Sequence, residues 1–478
     1  MESIYSDGEP QLNQTLYLEI GSLFLFLAMV VKTQVERAGV PGYYSRNPRL
    51  QIRWLSIVFV ALSVGFGSVL FSVSPLLALA LATGFTLSLI HPANALCLFV
   101  LMLFLRPWEI LTTNPVLLAL PRLLALACFI SWLLYQGKCG KPTVRTMRPV
   151  LLLLGFSFWL FLTTFRAHDM AVAHMEWLNT FFKAVIVFLM CLVFIEDERS
   201  VQELKRTLVI SSFALILLSF YRYFFQPPEA EAGGRLHLAG MLGDSNDLAA
   251  CVIIALPLGI GPLFKRSASG VQRIGGILFS ALSLAAIWYS QSRGAMLAFL
   301  TQVFAFGSLF KAQGRRVRML LMIAFLGLTY VLALHVLSRS TQEMSISQES
   351  RLIYWKAAVN MTLHHPIWGV GFGQYPANYE AFASTVKYEW GVRTAHSSWL
   401  LAFAESGLIG GFLFIAFFVT VLRIAWEHLR DNPDLFYALV GYIVAMSFLS
   451  HTYMLSPYLL SGLILAASAV KERAANGL

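Results

Sequence analysis

Apolar residues gather along this chain in runs too long and too continuous for the faces of soluble helices. The runs lie at about 15–31, 54–72, 75–91, 94–105, 116–136, 149–165, 179–195, 204–225, 247–264, 274–290, 295–310, 319–335, 397–421, 434–450 and 455–470. About 20 apolar residues in a helix cross the hydrocarbon core of a bilayer. Backbone polar groups in lipid must be satisfied within the segment, which makes such spans helical. A membrane barrel would show short alternating strands instead. The pattern predicts an all-α, polytopic helical membrane protein. The run at 94–105 is short, and the runs on either side of Ser74 read as one broken segment, so about 12–15 transmembrane helices are expected. The chain divides into N-terminal spans (1–200), central spans (201–335), one long external loop (336–396) and C-terminal spans (397–478).

Composition sharpens this. Of the 478 residues, 58% are hydrophobic and only 13% are charged, about half the charge that a soluble domain carries. That argues against a soluble enzyme and excludes a disordered chain or a DNA-binding factor, so no nucleic-acid partner is expected. Five cysteines occur without a CxxC spacing, four of them inside apolar runs and Cys139 in a basic loop. They read as small buried hydrophobes rather than disulfides or metal ligands. The acidic, polar start of the chain lacks the basic region of a signal peptide.

The net charge of +10 matters for where it sits. Seven connections, at 32–53, 138–148, 199–206, 265–273, 311–318, 423–430 and 471–473, hold 23 of the 35 basic residues, and all seven fall on one side of the predicted spans. The positive-inside rule makes that side cytoplasmic. The opposite side then carries the stretch at 226–246, the turn Gln291-Ser292-Arg293-Gly294 and the loop at 336–396. A loop of that length in a helical membrane protein is usually functional or a small domain.

Twelve basic residues lie outside the cytoplasmic connections. Five are on the long loop, and Arg106, Arg122, Arg166, Lys183, Arg222, Arg235 and Arg293 lie at outer helix ends or in outer helix halves. Cations there run against the orientation rule and need compensation. An anionic ligand would supply it, and guanidinium suits phosphate oxygens. Snorkelling to headgroups is the reading adopted for Arg106 and Arg166. Arg293 reads as functional, because Ser292 and Gly294 leave backbone N–H groups to help hold an anion. Arg351 begins Arg-Leu-Ile-Tyr-Trp-Lys-Ala-Ala, a short amphipathic helix with Tyr354 and Trp355 on the arginine's face. An interfacial aromatic anchor and an arginine entering a site both fit it.

His364-His365-Pro366 leads into Gly369-Val-Gly371-Phe-Gly373, which does not match the dinucleotide fingerprint. The glycines let the backbone turn tightly or approach a ligand, and His365 and Gly371 count as substrate-binding candidates. The histidine pair lacks a third ligand, so no metal is expected. His396 stands where the loop enters a membrane helix and is suited to deprotonating a hydroxyl near neutral pH. Glu405, nine residues on, is an intramembrane carboxylate that needs a partner and is a poor orienter for His396. Gly407 and Gly410 favour close helix packing. In Gly243-Asp244-Ser245-Asn246-Asp247 helix capping is the default role. Asn246 and Asp247 also suit sugar hydroxyls. No P-loop, DxD pair or HExxH occurs in the sequence.

These residues resemble the O-antigen ligase / O-antigen polymerase superfamily of bacterial envelope glycosyltransferases. The most specific match is His396-Ser397, nine residues, then Gly407-Leu-Ile-Gly410. Ser292-Arg293-Gly294, Asp244 to Ala249, Arg351 to Trp355 and Pro366 to Gly371 support it in the family's order, over roughly 200–470. The extra N-terminal span and the basic segment at 32–53 depart from the usual pattern. The resemblance implies transfer of a glycan from undecaprenyl diphosphate to a lipid or saccharide acceptor, at the periplasmic face of the bacterial inner membrane, without nucleotide sugar, cofactor or metal. Carried over, Arg293 and Arg351 bind the leaving diphosphate and His396 is the general base, with Arg222 and Arg235 as helpers by location. Ligation is the first reading. Polymerisation of repeat units and transfer to protein hydroxyls are alternatives within the family, and a lipid-linked glycan transporter or flippase is the rival from another class. A transporter would more often show repeated halves and broken helices in both.

Overall fold

The computed structural model describes residues 91–106, 115–134, 143–225, 234–238, 243–264, 268–307, 327, 341–384 and 394–475. The predicted runs at 15–31, 54–72, 75–91 and 319–335 fall wholly or almost wholly outside them, as does Cys139. Everything below concerns the unit Ile90–Leu478.

Each of the eleven other predicted runs is a helix, and no strand occurs among the described residues. We number the helices α1 (Pro92–Leu105), α2 (Pro115–Leu134), α3 (Val144–Thr163), α4 (Met170–Glu176), α5 (Phe182–Phe194), α6 (Glu198–Phe225), α7 (Ser245–Phe264), α8 (Gly270–Ser290) and α9 (Arg293–Gly307). They continue as α10 (Thr341–His364), α11 (Tyr375–Phe382), α12 (Ser398–Glu427), α13 (Pro433–Met446) and α14 (Leu455–Ala475). A five-residue π segment, Trp177–Phe181, joins α4 to α5. The segments 145–166, 170–194, 198–225, 270–290 and 398–427 are long and apolar enough to cross a membrane, and five shorter apolar helices accompany them.

The packing follows from apolarity on both sides of each helix. Phe158, Ile210, Val271, Phe304 and Phe412 face outward and exposed, as lipid-facing side chains do. The inward faces carry aromatic rings and small polar residues. Phe156 meets Phe414 at 5.3 Å and Phe181 meets Tyr458 at 5.3 Å, tying α3 to α12 and the π segment to α14. At the end where the basic connections cluster, buried Lys205 donates to Asn432 Oδ1 at 2.7 Å and Asp434 Oδ1 at 3.0 Å, fixing α6 to the α12–α13 turn. The free cysteines Cys128, Cys191 and Cys251 are buried and Cys97 is half-buried, as their apolar context predicted.

Asp197 caps α6. Its Oδ1 accepts from Ser200 N–H at 2.8 Å and Ser200 Oγ–H at 2.7 Å. Burial raises its carboxyl pKa, but these two hydrogen bonds, with the charges of His91 and Arg199, outweigh it and hold the group below the usual carboxylate range. A depressed pKa stabilises above the unfolded value and loses that contribution as pH falls through the folded one. Asp197→Ala should therefore cost about 1 kcal/mol at neutral pH, the usual worth of such a cap. Melting curves in detergent should show the wild-type advantage at pH 7 and its progressive loss as the pH falls below the usual carboxylate range.

The long external loop is largely helical where it is described. The amphipathic helix expected to begin at Arg351 instead begins at Thr341 and runs unbroken to His364, because no proline or glycine interrupts it before Pro366. α10 packs on α12, and α11 closes over both: Tyr375 O–H donates to the Tyr354 carbonyl at 2.8 Å. Burial pushes the Tyr375 phenol far above its ordinary pKa, so it remains a donor.

α12 is broken at Gly407, where φ is 66° and ψ −168°. The segment after α10 lies in the break. Val370 N–H donates to Ala404 O at 2.8 Å, Gly371 N–H to Glu405 O at 3.1 Å, and Leu408 N–H to Pro366 O at 2.7 Å. Trp159 Nε1–H takes the Ser406 carbonyl at 2.8 Å, and its ring stacks on Trp368 at 4.5 Å. These bonds satisfy the backbone groups that the break frees. The Glu405 carboxylate accepts from Gly373 N–H at 3.1 Å and Tyr375 N–H at 2.9 Å. That supplies the partner its intramembrane position demanded, and sets its role as anchor of the Gly369–Tyr375 segment.

Candidate functional site

Four pieces of chain meet at the helix ends opposite the basic connections. The first is the start of α7. Asp244 Oδ1 accepts from Asn246 N–H at 2.8 Å and from Asn246 Nδ2–H at 2.7 Å, which turns the chain into the helix. Asn246 Oδ1 in turn accepts from Arg235 Nη2–H at 3.1 Å, and Arg235 Nε–H donates to the Ser290 carbonyl at 2.9 Å. Arg235 thus ties the start of α7 to the end of α8. It holds Asn246 in place as well as bringing charge.

The second piece is the α8–α9 turn. Gln291 takes the left-handed conformation, φ 51°, and buried Ser292 caps α9 by accepting Ala295 N–H at 3.3 Å. Arg293 is the first residue of α9. The Ser292 amide is committed to Ser290 Oγ at 3.3 Å, so it is not the free anion-binding N–H that the sequence suggested. The third piece is α10, which carries Arg351 over the Phe448 ring at 6.0 Å from its centroid. A guanidinium over an aromatic face is held there by the ring's negative π-cloud.

The fourth piece is His396, in the left-handed region at φ 47° and half-buried. Its N–H donates to Ser450 Oγ at 2.9 Å, and its ring lies 5.8 Å from that of Tyr354, one turn beyond Arg351 on α10. Thr394 Oγ1 also donates to Ser450 Oγ. Ser398 Oγ–H donates to Leu449 O at 2.7 Å, and His451 N–H donates to Ser398 Oγ at 2.9 Å. The α13–α14 connection is thus zipped onto the approach to α12.

That connection organises the whole. Phe448 sits beneath Arg351 and against Gly294, and Ser450 holds His396. Arg351, Asn246, Ser292, Gly294 and Phe448 line one narrow cleft with room for about one water in this state. On the other side of the α7 start, a cavity of about 720 Å³ opens. Its walls are mostly apolar, from α1, α2 and α5, and carry Arg106, Arg122 and Lys183 together with Asp247 and His451.

Other sequence candidates lie apart. Arg222 is in the last turn of α6, next to Tyr223, whose ring meets that of Tyr289 at 5.5 Å. His365 follows the far end of α10, fourteen residues or about 21 Å of helix from Arg351, and packs near Phe382 at 5.8 Å. The structure does not bring it to the cleft. Gly371 is buried against the end of α3, with φ 103°, and its N–H is used by Glu405 O, so its work is to build the clamp on α12. Among the described residues no group of three or more His, Cys, Asp or Glu is placed to hold a metal ion.

Sequence reasoning passed over Phe448, Ser450 and His451. The signal was present: Ser450-His451-Thr452-Tyr453 is a polar gap between the last two apolar runs, on the same outer side as His396.

Residues 278–415 match the O-antigen ligase family model. The match supports the O-antigen ligase superfamily, and with it ligase- or polymerase-type glycan transfer between a lipid-linked saccharide and an acceptor. It covers less than a third of the chain, from the middle of α8 to the middle of α12. The O-antigen ligase segment therefore includes the Ser292–Gly294 turn, Arg351, His396 and the Gly407 break, whereas Arg235, Asn246, Asp247 and the α13–α14 connection lie outside it. No curated protein matches the chain.

Proposed function

We propose that this protein transfers a glycan from undecaprenyl diphosphate to an acceptor hydroxyl at the periplasmic face of the bacterial inner membrane, without a metal. One observation carries the reading: Arg351, the Ser292–Gly294 turn beside Arg293, and His396 all converge on the same few residues, Phe448 to Ser450. His396 takes the acceptor hydroxyl's proton. The oxygen then attacks the anomeric carbon, the bond from that carbon to the diphosphate oxygen breaks, and the electron pair leaves with the diphosphate. Arg293 and Arg351 neutralise that developing charge, which makes the diphosphate a better leaving group. Ligation is the first reading, on the ligase-type spacing from His396 to Gly407 and Gly410.

The test is the pool of lipid-linked glycan in a strain lacking the protein, sized by mass spectrometry. Accumulated long chains support ligation, because growth survives and attachment fails. Accumulated single repeat units would make the protein a polymerase. Arg293→Lys keeps the charge but loses the bidentate fork, and should lower transfer by about tenfold or more. Full activity in that variant would remove Arg293 from the diphosphate site.

A further inference from the structure

The chain Tyr442–His451–Asp247 has no part in the scheme above. Tyr442 and His451 are buried, with 0% and 5% of their surfaces exposed. Tyr442 Oη lies 2.6 Å from His451 Nδ1, and His451 Nε2 lies 2.8 Å from Asp247 Oδ1. The proton count orders this chain. A carboxylate has no proton to give, so Nε2 carries the hydrogen and donates to Asp247. Nδ1 is then the acceptor for the phenol O–H. Burying the Tyr442 and His451 side chains in an apolar bundle is costly unless each is satisfied, and here Tyr442 satisfies His451 and His451 satisfies the cavity-lining Asp247. The result is an aspartate held in one orientation by a histidine of fixed tautomer.

Asp247 is the one acidic residue among those described that line the large cavity, facing Arg106, Arg122 and Lys183 across apolar walls. The start of α7 divides the two spaces: Asn246 lines the cleft with Arg351, and Asp247 lines the cavity. An amphiphile with its apolar carrier in the cavity brings its anionic head to this helix start. A donor whose diphosphate sits at this helix start would bring its anomeric carbon, on the sugar side of the diphosphate, to the turn that carries both Asn246 and Asp247.

We propose that Asp247 is a further catalytic residue, whose carboxylate stabilises the positive charge that develops on the donor's anomeric carbon, and that His451 and Tyr442 are positioning residues for it. This rests on the transfer reading above. Glycosyl transfer passes through an oxocarbenium-like state, and a fixed anion is worth most where charge develops away from water. No atom is gained or lost at Asp247. The electron pair leaves with the diphosphate, and Asp247 neither gives nor takes a proton in the step.

The test uses the full-length protein in nanodiscs with lipid-linked glycan extracted from a strain lacking it. Asp247→Asn should lower kcat by about 100-fold while changing KM by less than about threefold. His451→Leu should lower kcat by at least about tenfold, and His451→Gln, which retains an N–H donor for Asp247, should recover most of it. Tyr442→Phe leaves the ring in place but releases the tautomer, and should lower kcat by about tenfold with an unchanged melting temperature. If His451→Leu fails to fold, Tyr442→Phe decides alone. Wild-type kcat in Asp247→Asn or in a folded Tyr442→Phe would overturn the assignment, as would a His451→Gln variant as poor as a folded His451→Leu. Wild-type protein that turns over none of this donor would instead overturn the transfer reading, which separates the two failures.

Discussion

Replacing His396 with alanine is expected to lower glycan transfer by about 10²- to 10⁴-fold, the usual worth of a positioned general base. The expectation follows from how the residue is held. His396 takes the left-handed conformation, φ 47°, immediately before Ser397 and the start of α12. A non-glycine residue stays there only when its surroundings fix it, and the Ser450 hydroxyl does so by accepting the His396 N–H. The ring is thereby set beside Tyr354, on the helix that carries Arg351. The reaction requires a base able to act near neutral pH, a role imidazole fills in general. Alanine removes the base but also strains the backbone, so the informative companion is His396→Asn. Asparagine tolerates the left-handed region better than most residues and cannot act as a base near neutral pH. A folded His396→Asn protein, monodisperse in detergent with a wild-type melting temperature, should be as inactive as the alanine variant. Wild-type transfer by either variant would exclude His396 as the base.

The sequence revealed the helices because lipid imposes a one-dimensional rule: apolar length alone marks a span. It singled out Arg293, Arg351 and His396 as candidates because cations and a histidine on the predicted outer side of a membrane protein conflict with their surroundings and call for explanation. It could not reveal that the Gly294 turn, Arg351 and the His396 backbone all adjoin one connection. That connection is the one from α13 to α14, and Phe448, the residue beneath Arg351, is indistinguishable by type from the lipid-facing phenylalanines of the same chain. His451 was legible as an outer polar residue, but its role is set by Asp247, 204 positions earlier. Periodicity within a segment carries no information about such a pairing. Glu405 shows the same limit in reverse. Its need for a partner was clear, whereas the partners are backbone N–H groups of Gly373 and Tyr375, to which side-chain patterns are blind.

The largest structural effect is expected at Gly407. The ligase-like spacing from His396 to Gly407 and Gly410 suggested close helix packing, and the structure adds a backbone reason. At φ 66° and ψ −168°, Gly407 occupies a region essentially reserved for glycine. A Cβ there would collide with the Ile367 carbonyl oxygen. Gly369 opposes it with φ 66°, and a Cβ on Gly369 would lie 2.6 Å from Ala404 O and Ser406 N. The two glycines therefore let a surface loop and a broken membrane helix press backbone to backbone. Three main-chain hydrogen bonds and the Trp159 indole bond depend on that contact. Gly407→Ala adds strain of about 1–3 kcal/mol and separates these groups, each of which then costs about 1–3 kcal/mol when left buried and unpaired. The sum rivals the whole stability of a typical domain. Gly407→Ala should thus yield little folded protein, with a lowered melting temperature in detergent and early proteolysis between α10 and α11. Gly155→Ala is the control, because a Cβ there meets nothing within 4 Å. Equal yield and melting temperature for the two variants would show that the break in α12 is not held by this contact. The expected gap between them would place the glycines of the ligase-like motif in the scaffold that presents His396, one helical segment away from the chemistry itself.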